Sequence, residues 1–208
     1  QNRREKRRKG SADTEPAELD NAVPDETDET EETEETEETE EEEHKPLAVQ
    51  RREAILAIIR ESGARRVGDL GCGAGALTRD LLADAHIEHV TAVDVSARAL
   101  QLAGRHLKLD QMPDNKRQRL TIFQTSLTYR DDRLAGLDAA VLMEVIEHLD
   151  PPRLAAFERV LFEFARPAVV VVTTPNVEYN PKFDSLPAGQ FRHKDHRFEW
   201  TRAEFQSW

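Results

Sequence analysis

From residue 46 onward, short apolar runs alternate with longer amphipathic stretches. Val67–Leu70, His89–Asp94, Leu120–Gln124, Leu137–Met143 and Ala168–Thr173 read as strands. Asp138–Met143, small and apolar with no helical stripe, reads as a strand buried on both faces. Between the strands, Ala76–Ala85, Ala97–Leu109 and Pro152–Phe164 read as helices. Ahead of the first strand, Val49, Ile55, Leu56, Ile58 and Ile59 give a helix with one apolar face, stopped at Gly63. Strictly alternating strands and helices predict a doubly wound α/β fold with a mostly parallel sheet and helices on both sides. Thr201 and Glu204 form a capping box for a last helix that the chain end cuts short.

Charge divides the chain. Residues 1–45 carry 7 basic against 19 acidic side chains, whereas residues 46–208 carry 22 against 22. All net acidity therefore lies before the folded part, and any nucleic-acid contact by residues 46–208 must come from a local patch. Arg3–Lys9 is a basic cluster and Asp25–Glu43 an acidic Glu-Glu-Thr repeat. Such composition cannot bury a core, so residues 1–45 are expected to be a disordered linker or, less in keeping with their position, a charged interaction tail. Residues 46–208 are the expected folded domain. A single cysteine, Cys72, excludes an internal disulfide and fits a reducing compartment. No apolar run approaches the roughly 20 residues of a membrane span, and no signal peptide is evident. The expectation is a soluble cytoplasmic protein. The absent initial Met and the stop within a helix suggest a fragment of a longer chain.

Candidate chemistry begins where the fourth strand ends. Leu137–His148 reads Leu-Asp-Ala-Ala-Val-Leu-Met-Glu-Val-Ile-Glu-His, and Asp150 is placed to cap a helix opened by Pro151 and Pro152. Open α/β sheets bind ligands beyond the carboxyl ends of their strands, where Glu144, Glu147 and His148 fall. In a helical turn these positions would share one face. Two hard oxygens beside an imidazole suit Mg²⁺ or Mn²⁺. The plainer alternative is a pair of solvated helix-start carboxylates with a packing histidine.

The first strand runs into Val-Gly-Asp-Leu-Gly-Cys-Gly-Ala-Gly, residues 67–75. Gly71, Gly73 and Gly75 allow a sharp turn and close backbone approach to a ligand. Their spacing is not that of dinucleotide binders, although an NAD-type domain is the competing structural reading. Asp69 would repel a pyrophosphate and suit an amino-bearing ligand. Asp94, ending the second strand, is placed to accept from a ribose diol. The combination resembles class I (Rossmann-like) S-adenosylmethionine-dependent methyltransferases. That resemblance implies that Asp69, Gly71, Gly73 and Gly75 flank the amino-acid part of S-adenosylmethionine, that Asp94 holds its ribose, and that Ser126 lies on the adenine side.

Glu-Val-Ile-Glu-His-Leu is also similar to a segment of ubiquinone-pathway and other small-molecule O-methyltransferases, so it does not settle the substrate. Two later stretches narrow it: Thr173-Thr-Pro-Asn-Val-Glu-Tyr-Asn180, and Phe191-Arg-His-Lys-Asp-His-Arg-Phe-Glu-Trp200. His193 and His196 stand there among Arg192, Lys194 and Arg197, whose charges would face a phosphate. From about Leu47 to Trp208 the chain resembles the Hen family, RNA 2′-O-methyltransferases acting on the 3′-terminal ribose, in its bacterial form. The resemblance implies Glu144, Glu147, His148 and His196 as metal ligands and catalytic residues. It prefers His196 because the family pattern is Asp-His-x-Phe-Glu-Trp, leaving His193 as a lesser ligand or proton acceptor. It further implies an RNA 3′ end with a 2′,3′-diol as substrate, and a polynucleotide kinase-phosphatase partner in RNA repair. Residues 1–45 would then be the tail of a preceding domain and its linker. The departure from the family is at the C-terminal end, where the last sheet strands are missing.

On that reading two carboxylates and two imidazoles leave two positions of an octahedral ion for vicinal hydroxyls, and coordination lowers a hydroxyl pKa. Terminal specificity would then need no base readout. A metal-independent small-molecule O-methyltransferase is the first rival. A silent scaffold whose acidic tail recruits partners is the second, and the intact cofactor motif speaks against it.

Overall fold

The structure, a computed structural model, describes residues 45–183 and 185–208. The expected linker, residues 1–45, falls outside the described residues except for Lys45. The body opens with α1 (Leu47–Ser62), whose Ile55 and Ile59 are buried. Gly63 ends it at φ 71°, donating its amide to the Arg60 carbonyl, a left-handed stop that a Cβ would strain. Then follow β1 (Arg66–Leu70), α2 (Ala76–Ala83), β2 (His89–Asp94), α3 (Ala97–His106), the single-turn α4 (Asp114–Arg117) and β3 (Leu120–Gln124). The second half holds β4 (Ala139–Met143), α5 (Pro151–Glu158), β5 (Val169–Thr173) and α6 (Arg202–Ser207).

All strand pairs are parallel and the order is β3-β2-β1-β4-β5. The winding reverses between β1 and β4, which are hydrogen-bonded neighbours with Asp69 opposite Val141. A crevice opens at such a switch point, and both candidate segments leave the sheet there. The central strands β1, β2 and β4 are buried from both sides, whereas the edge strand β3 is partly exposed. Val67, Val90, Ala139 and Val141 pack with Ile59, Leu77 and Leu81. Leu70, Ala140 and Leu142 pack with Ile146, Leu154, Phe157 and Leu161.

Several boundaries differ from the sequence expectation, each for a local reason. The helix expected over Pro152–Phe164 is α only to Glu158 and then π-helical over Arg159–Ala165. The wider turn closes with Arg166 donating its amide to the Leu161 carbonyl at 2.9 Å. Asp150 does not cap α5 with its carboxylate. Pro151 and Pro152 have no N–H to offer, so the first free amides, Arg153 and Leu154, use the Asp150 carbonyl at 2.8 and 2.9 Å. The carboxylate instead pairs with Arg197 at 3.4 Å. α2 ends two residues early because Asp84 turns extended, its Oδ1 accepting the His86 amide at 2.9 Å. The expected capping box is present at α6: Thr201 Oγ1 accepts the Glu204 amide and Glu204 Oε2 accepts the Thr201 amide. Among the described residues no helix is long and apolar enough to cross a membrane.

Candidate functional site

The glycine turn after β1 is built by its own backbone. Gly71, Gly73 and Gly75 have φ of 93°, 52° and 83°, where only glycine is unstrained. The Gly71 and Cys72 amides both donate to the Val93 carbonyl, at 2.8 and 2.9 Å, which folds the turn over the end of β2. Asp94 is locked at the same place: Oδ2 accepts the Gly73 amide at 2.9 Å and Oδ1 the Ser96 amide at 2.8 Å. Each oxygen keeps a further lone pair, as a diol requires. Nothing lies within 4 Å of where a Gly73 Cβ would stand, whereas a Gly71 Cβ would come 2.5 Å from Val145. Gly71 therefore lets the turn touch the segment after β4, and Gly73 keeps backbone open to a ligand. These features fit S-adenosylmethionine. Ser126 follows β3 and bonds with Thr128 Oγ1 at 2.9 Å, next to Thr125, whose amide donates to the Asp94 carbonyl.

Asp69 is placed differently from a surface group that meets the cofactor. It is 2% exposed beneath the turn, and its Oδ2 accepts from Thr78 Oγ1 of α2 at 2.5 Å. Burial pushes its carboxyl up to about 6, partly offset by the Thr78 bonds. The same burial, with the Asp69 charge, pushes the Cys72 thiol up to about 12, so this cysteine is inert.

After β4 the chain does not enter a helical turn at Glu144, as one shared face would need. Glu144 sits at φ 56°, a strained conformation for a residue with a Cβ, and only Ile146–His148 form a 3₁₀ turn. Thr173 at the end of neighbouring β5 holds the strain in place. The Glu144 amide donates to the Thr173 carbonyl and hydroxyl oxygens at 3.1 and 3.2 Å, and Thr173 Oγ1 donates to Glu144 Oε1 at 2.8 Å. Glu144 Oε2 faces the Arg51 guanidinium at 3.4 Å. Glu147 is fully buried. Its Oε2 accepts from Thr174 Oγ1 at 3.1 Å, and its Oε1 has no partner among the described residues. Burial, reinforced by the Glu144 charge, pushes its carboxyl up to about 8.

The loop after β5 closes over this turn, with the Arg197 amide donating to the Glu147 carbonyl at 2.7 Å. It brings ligand-capable nitrogens of His148, His193 and His196 within 4.8 Å of one another. Ring centroids of His148 and His196 are 5.0 Å apart. Burial and the neighbouring His196 and His193 hold the His148 pKa below its usual range, which favours its neutral form with a free lone pair. His196 Nδ1 is 2.6 Å from Glu199 Oε1. Burial raises the Glu199 carboxyl, but hydrogen bonds from Asn180, His196 and the Arg192 amide outweigh it and leave the pKa lowered. An ionised carboxylate has no proton to give, so Nδ1 carries the proton and Nε2 keeps its lone pair. His193 is the reverse: its Nδ1 accepts the Asp195 amide at 3.2 Å, which places the proton of its neutral form on Nε2.

Of the four expected ligands, the structure gathers His148 and His196, joined by His193. Glu144 and Glu147 are not part of that 4.8 Å group. Three convergent imidazoles, with a buried carboxylate oxygen lacking a donor one residue before His148, fit a divalent cation. Arg192 does not face outward to a phosphate. Its Nε donates to Asn180 Oδ1 at 2.7 Å and a terminal nitrogen to the Asn176 carbonyl at 2.7 Å, so it braces the loop. Sequence reasoning missed Arg51, Thr173, Thr174, Asn180 and Glu199. The hydroxyls ending β5, next to β4, were a usable signal for Thr173 and Thr174; Arg51 on α1 carried none.

A family model described as a methyltransferase domain matches residues 69–167. The chain is 37% identical over 167 residues to the small RNA 2′-O-methyltransferase of Rattus norvegicus, covering 78% of this chain and 42% of that protein. It thus spans less than half the length of that relative. Among solved structures it is similar to the methyltransferase domain of bacterial CtHen1, with 50% identity, TM-score 0.71, and coverage of 78% of this chain and 81% of that one. It is also similar to the small RNA methyltransferase HEN1, with 34% identity, TM-score 0.69, and coverage of 78% and 21%.

Proposed function

We propose, from the premise that this chain belongs to the Hen1 family of small RNA 2′-O-methyltransferases, that it methylates the 2′-hydroxyl of the 3′-terminal nucleotide of RNA, with S-adenosylmethionine as donor. The observation that carries the metal-dependent form of this reading is the convergence of His148, His193 and His196, with Glu147, one residue before His148, keeping an unpartnered Oε1. An imidazole-rich set with carboxylates suits Mn²⁺ better than Mg²⁺, which prefers oxygen and water. His148, His196 and Glu147 would hold the ion, with Glu144 and His193 beside it.

When bound, the ion supplies Lewis acidity that lowers the pKa of a hydroxyl. The chain's own residues do the rest. Asp94, fixed by two backbone amides, accepts from the cofactor ribose. The Gly71–Val145 contact sets the cofactor turn against the β4 segment, so donor and acceptor are held in one crevice. Glu199 fixes the His196 tautomer, and Thr173 and Thr174 aim the two glutamates. The proton released as the 2′-oxygen attacks passes to solvent, because the His193 Nδ1 lone pair is taken by the Asp195 amide and its Nε2 carries the proton of the neutral ring. A role in bacterial RNA repair beside a polynucleotide kinase-phosphatase belongs to the same proposal and rests on the family resemblance.

The test is methyl transfer to one RNA sequence ending in a 2′,3′-diol, a 2′-deoxy, a 3′-deoxy or a 3′-phosphate ribose, each with and without EDTA. The proposal expects transfer only to the diol and only without chelator. Transfer that persists in EDTA, or that ignores loss of the 3′-hydroxyl, would point instead to a metal-independent O-methyltransferase.

A further inference from the structure

Three of the molecule's exposed aromatic residues lie close together in sequence, in the segment that leads into the histidine loop. Tyr179, Phe183 and Phe191 are 42%, 40% and 42% exposed. Two of them carry cations on their rings: Lys182 Nζ is 4.8 Å from the Tyr179 centroid and the Arg192 guanidinium 4.6 Å from that of Phe183. This surface is tied to the candidate site through short bonds. Asn180, between Tyr179 and Phe183, donates to Glu199 Oε2 at 2.5 Å, and Glu199 holds His196. Arg192 links Asn180 to the Phe183 ring and is followed directly by His193.

Large aromatic side chains left in water at a site's rim call for a flat, apolar partner, and cations on the rings call for negative charge beside it. Lys182 and Lys194 form no ion pair among the described residues. Unpaired nucleotides supply both features, bases to stack and phosphodiesters to neutralise. Because residues 46–208 balance at 22 basic and 22 acidic side chains, a local patch is what RNA binding by this body requires.

We infer that Tyr179 and Phe183, backed by Lys182 and Arg192, form a stacking platform for the unpaired bases next to the RNA 3′ end, with Lys182 and Lys194 facing the adjoining phosphodiesters. The inference rests on the proposed RNA function and adds how the strand is held without base readout. Stacking uses the face common to all four bases, so the platform discriminates unpaired from paired ends rather than one sequence from another.

The test is equilibrium binding of the full 208-residue chain, with S-adenosylhomocysteine present, to fluorescent single-stranded RNA ending in a diol. A matched RNA has its last two nucleotides abasic, and a third is the blunt duplex. The intact single strand should bind roughly 5- to 100-fold more tightly than the abasic strand, by the usual size of base–aromatic stacking. Tyr179→Ala with Phe183→Ala should erase that difference while leaving the affinity for the abasic strand unchanged, and Tyr179→Phe should restore it. Equal affinity of the wild type for intact and abasic strands would overturn the platform while leaving the RNA function standing. A double variant that keeps the full preference would do the same, and would leave the patch as a protein-docking face. Failure of the wild type to bind any of the RNAs would overturn the RNA function itself, and the platform with it.

Discussion

Asp69 and Glu147 are two buried carboxylates in the same crevice, one on β1 and the other just past the end of neighbouring β4. Each is almost removed from water, and burial raises both pKa values, to about 6 and about 8. Their partners separate them. Asp69 receives a 2.5 Å hydrogen bond from Thr78 and joins β1 to α2. Glu147 has one oxygen on Thr174 and the other on nothing among the described residues. An unmatched buried acceptor costs about 1–3 kcal/mol, which evolution retains only where something else repays it. On the proposed function, the contrast separates a strut that joins β1 to α2 from a group that would take a cation.

The largest effect that would break or support this contrast comes from Glu147→Gln. The neutral isostere keeps the shape and the Thr174 contact but removes the charge a cation needs. Methyl transfer should fall by at least about 100-fold, as for loss of a residue acting as part of one unit, while the melting temperature holds or rises. His148→Ala and His196→Ala should cost as much in rate, and the double variant little more than either. Independent, additive losses would show that these residues do not share one ion.

Asp69 gives the second-largest effect, and it is on stability. Its folded pKa, about 6, lies above the usual value near 3.9, so the folded state holds its proton longer than the unfolded chain. The stabilising contribution is complete below about pH 4 and is lost as pH rises through 6, a loss of about 3 kcal/mol at roughly 1.4 kcal/mol per pH unit. Asp69→Asn keeps an acceptor for Thr78 and does not titrate. Denaturant melts of wild type and variant should agree near pH 4 and diverge toward pH 7, with the variant more stable. Parallel profiles would mean that burial does not raise the Asp69 pKa in the folded state.

The same contrast explains what could be read from the sequence. The strands and the layers were legible because short apolar runs alternate with amphipathic stretches, whereas the strand order was not; the Gly71–Gly75 turn was legible because local backbone geometry makes it. Asp94 was legible from its place at the end of β2. The β4 side was only partly so. His148 and His196 lie 48 positions apart, and what joins them is a loop closed by Arg197, Asn180 and Glu199, with no periodicity to announce it. A helical turn at Glu144 stayed an open condition, because spacing alone cannot show that Thr173 will hold it at φ 56°. Arg192 looked like a phosphate ligand because a loop arginine gives no sign of the Asn176 and Asn180 oxygens it will meet.

A third effect tests the cofactor side directly. Asp94→Ala removes both the acceptor expected for the ribose diol and the clamp on the Gly73 and Ser96 amides. Hydrogen bonds to a charged group are worth about 1.5–3 kcal/mol, so S-adenosylmethionine should bind about 12- to 150-fold more weakly by calorimetry. The three-histidine cluster is built by other residues, so Mn²⁺ binding should change far less. Coupled loss of both would mean that the two halves of the crevice are not independent in the way the contrast requires.

The smallest effect is expected at Glu199, whose side chain is buried behind His196. Its Oε1 accepts from the Arg192 amide and His196 Nδ1, both at 2.6 Å, and its Oε2 from Asn180 at 2.5 Å. In Glu199→Gln the single carbonyl oxygen can keep the first two bonds, but the new NH₂ then faces the Asn180 NH₂, donor against donor. Asn180 cannot turn over to relieve this, because its Oδ1 already accepts from Arg192 at 2.7 Å. The His196 ring should therefore loosen without losing its partner. Groups behind a metal ligand typically contribute 10- to 100-fold in affinity, and retention of two bonds out of three puts this variant at the low end, about 10-fold for Mn²⁺. The distinguishing readout is the His196 ring nitrogens in ¹⁵N NMR without metal, which should shift from one tautomer toward a mixture. A purely structural role would lower stability and leave the tautomer alone, and would reduce Glu199 to another strut of the kind Asp69 is.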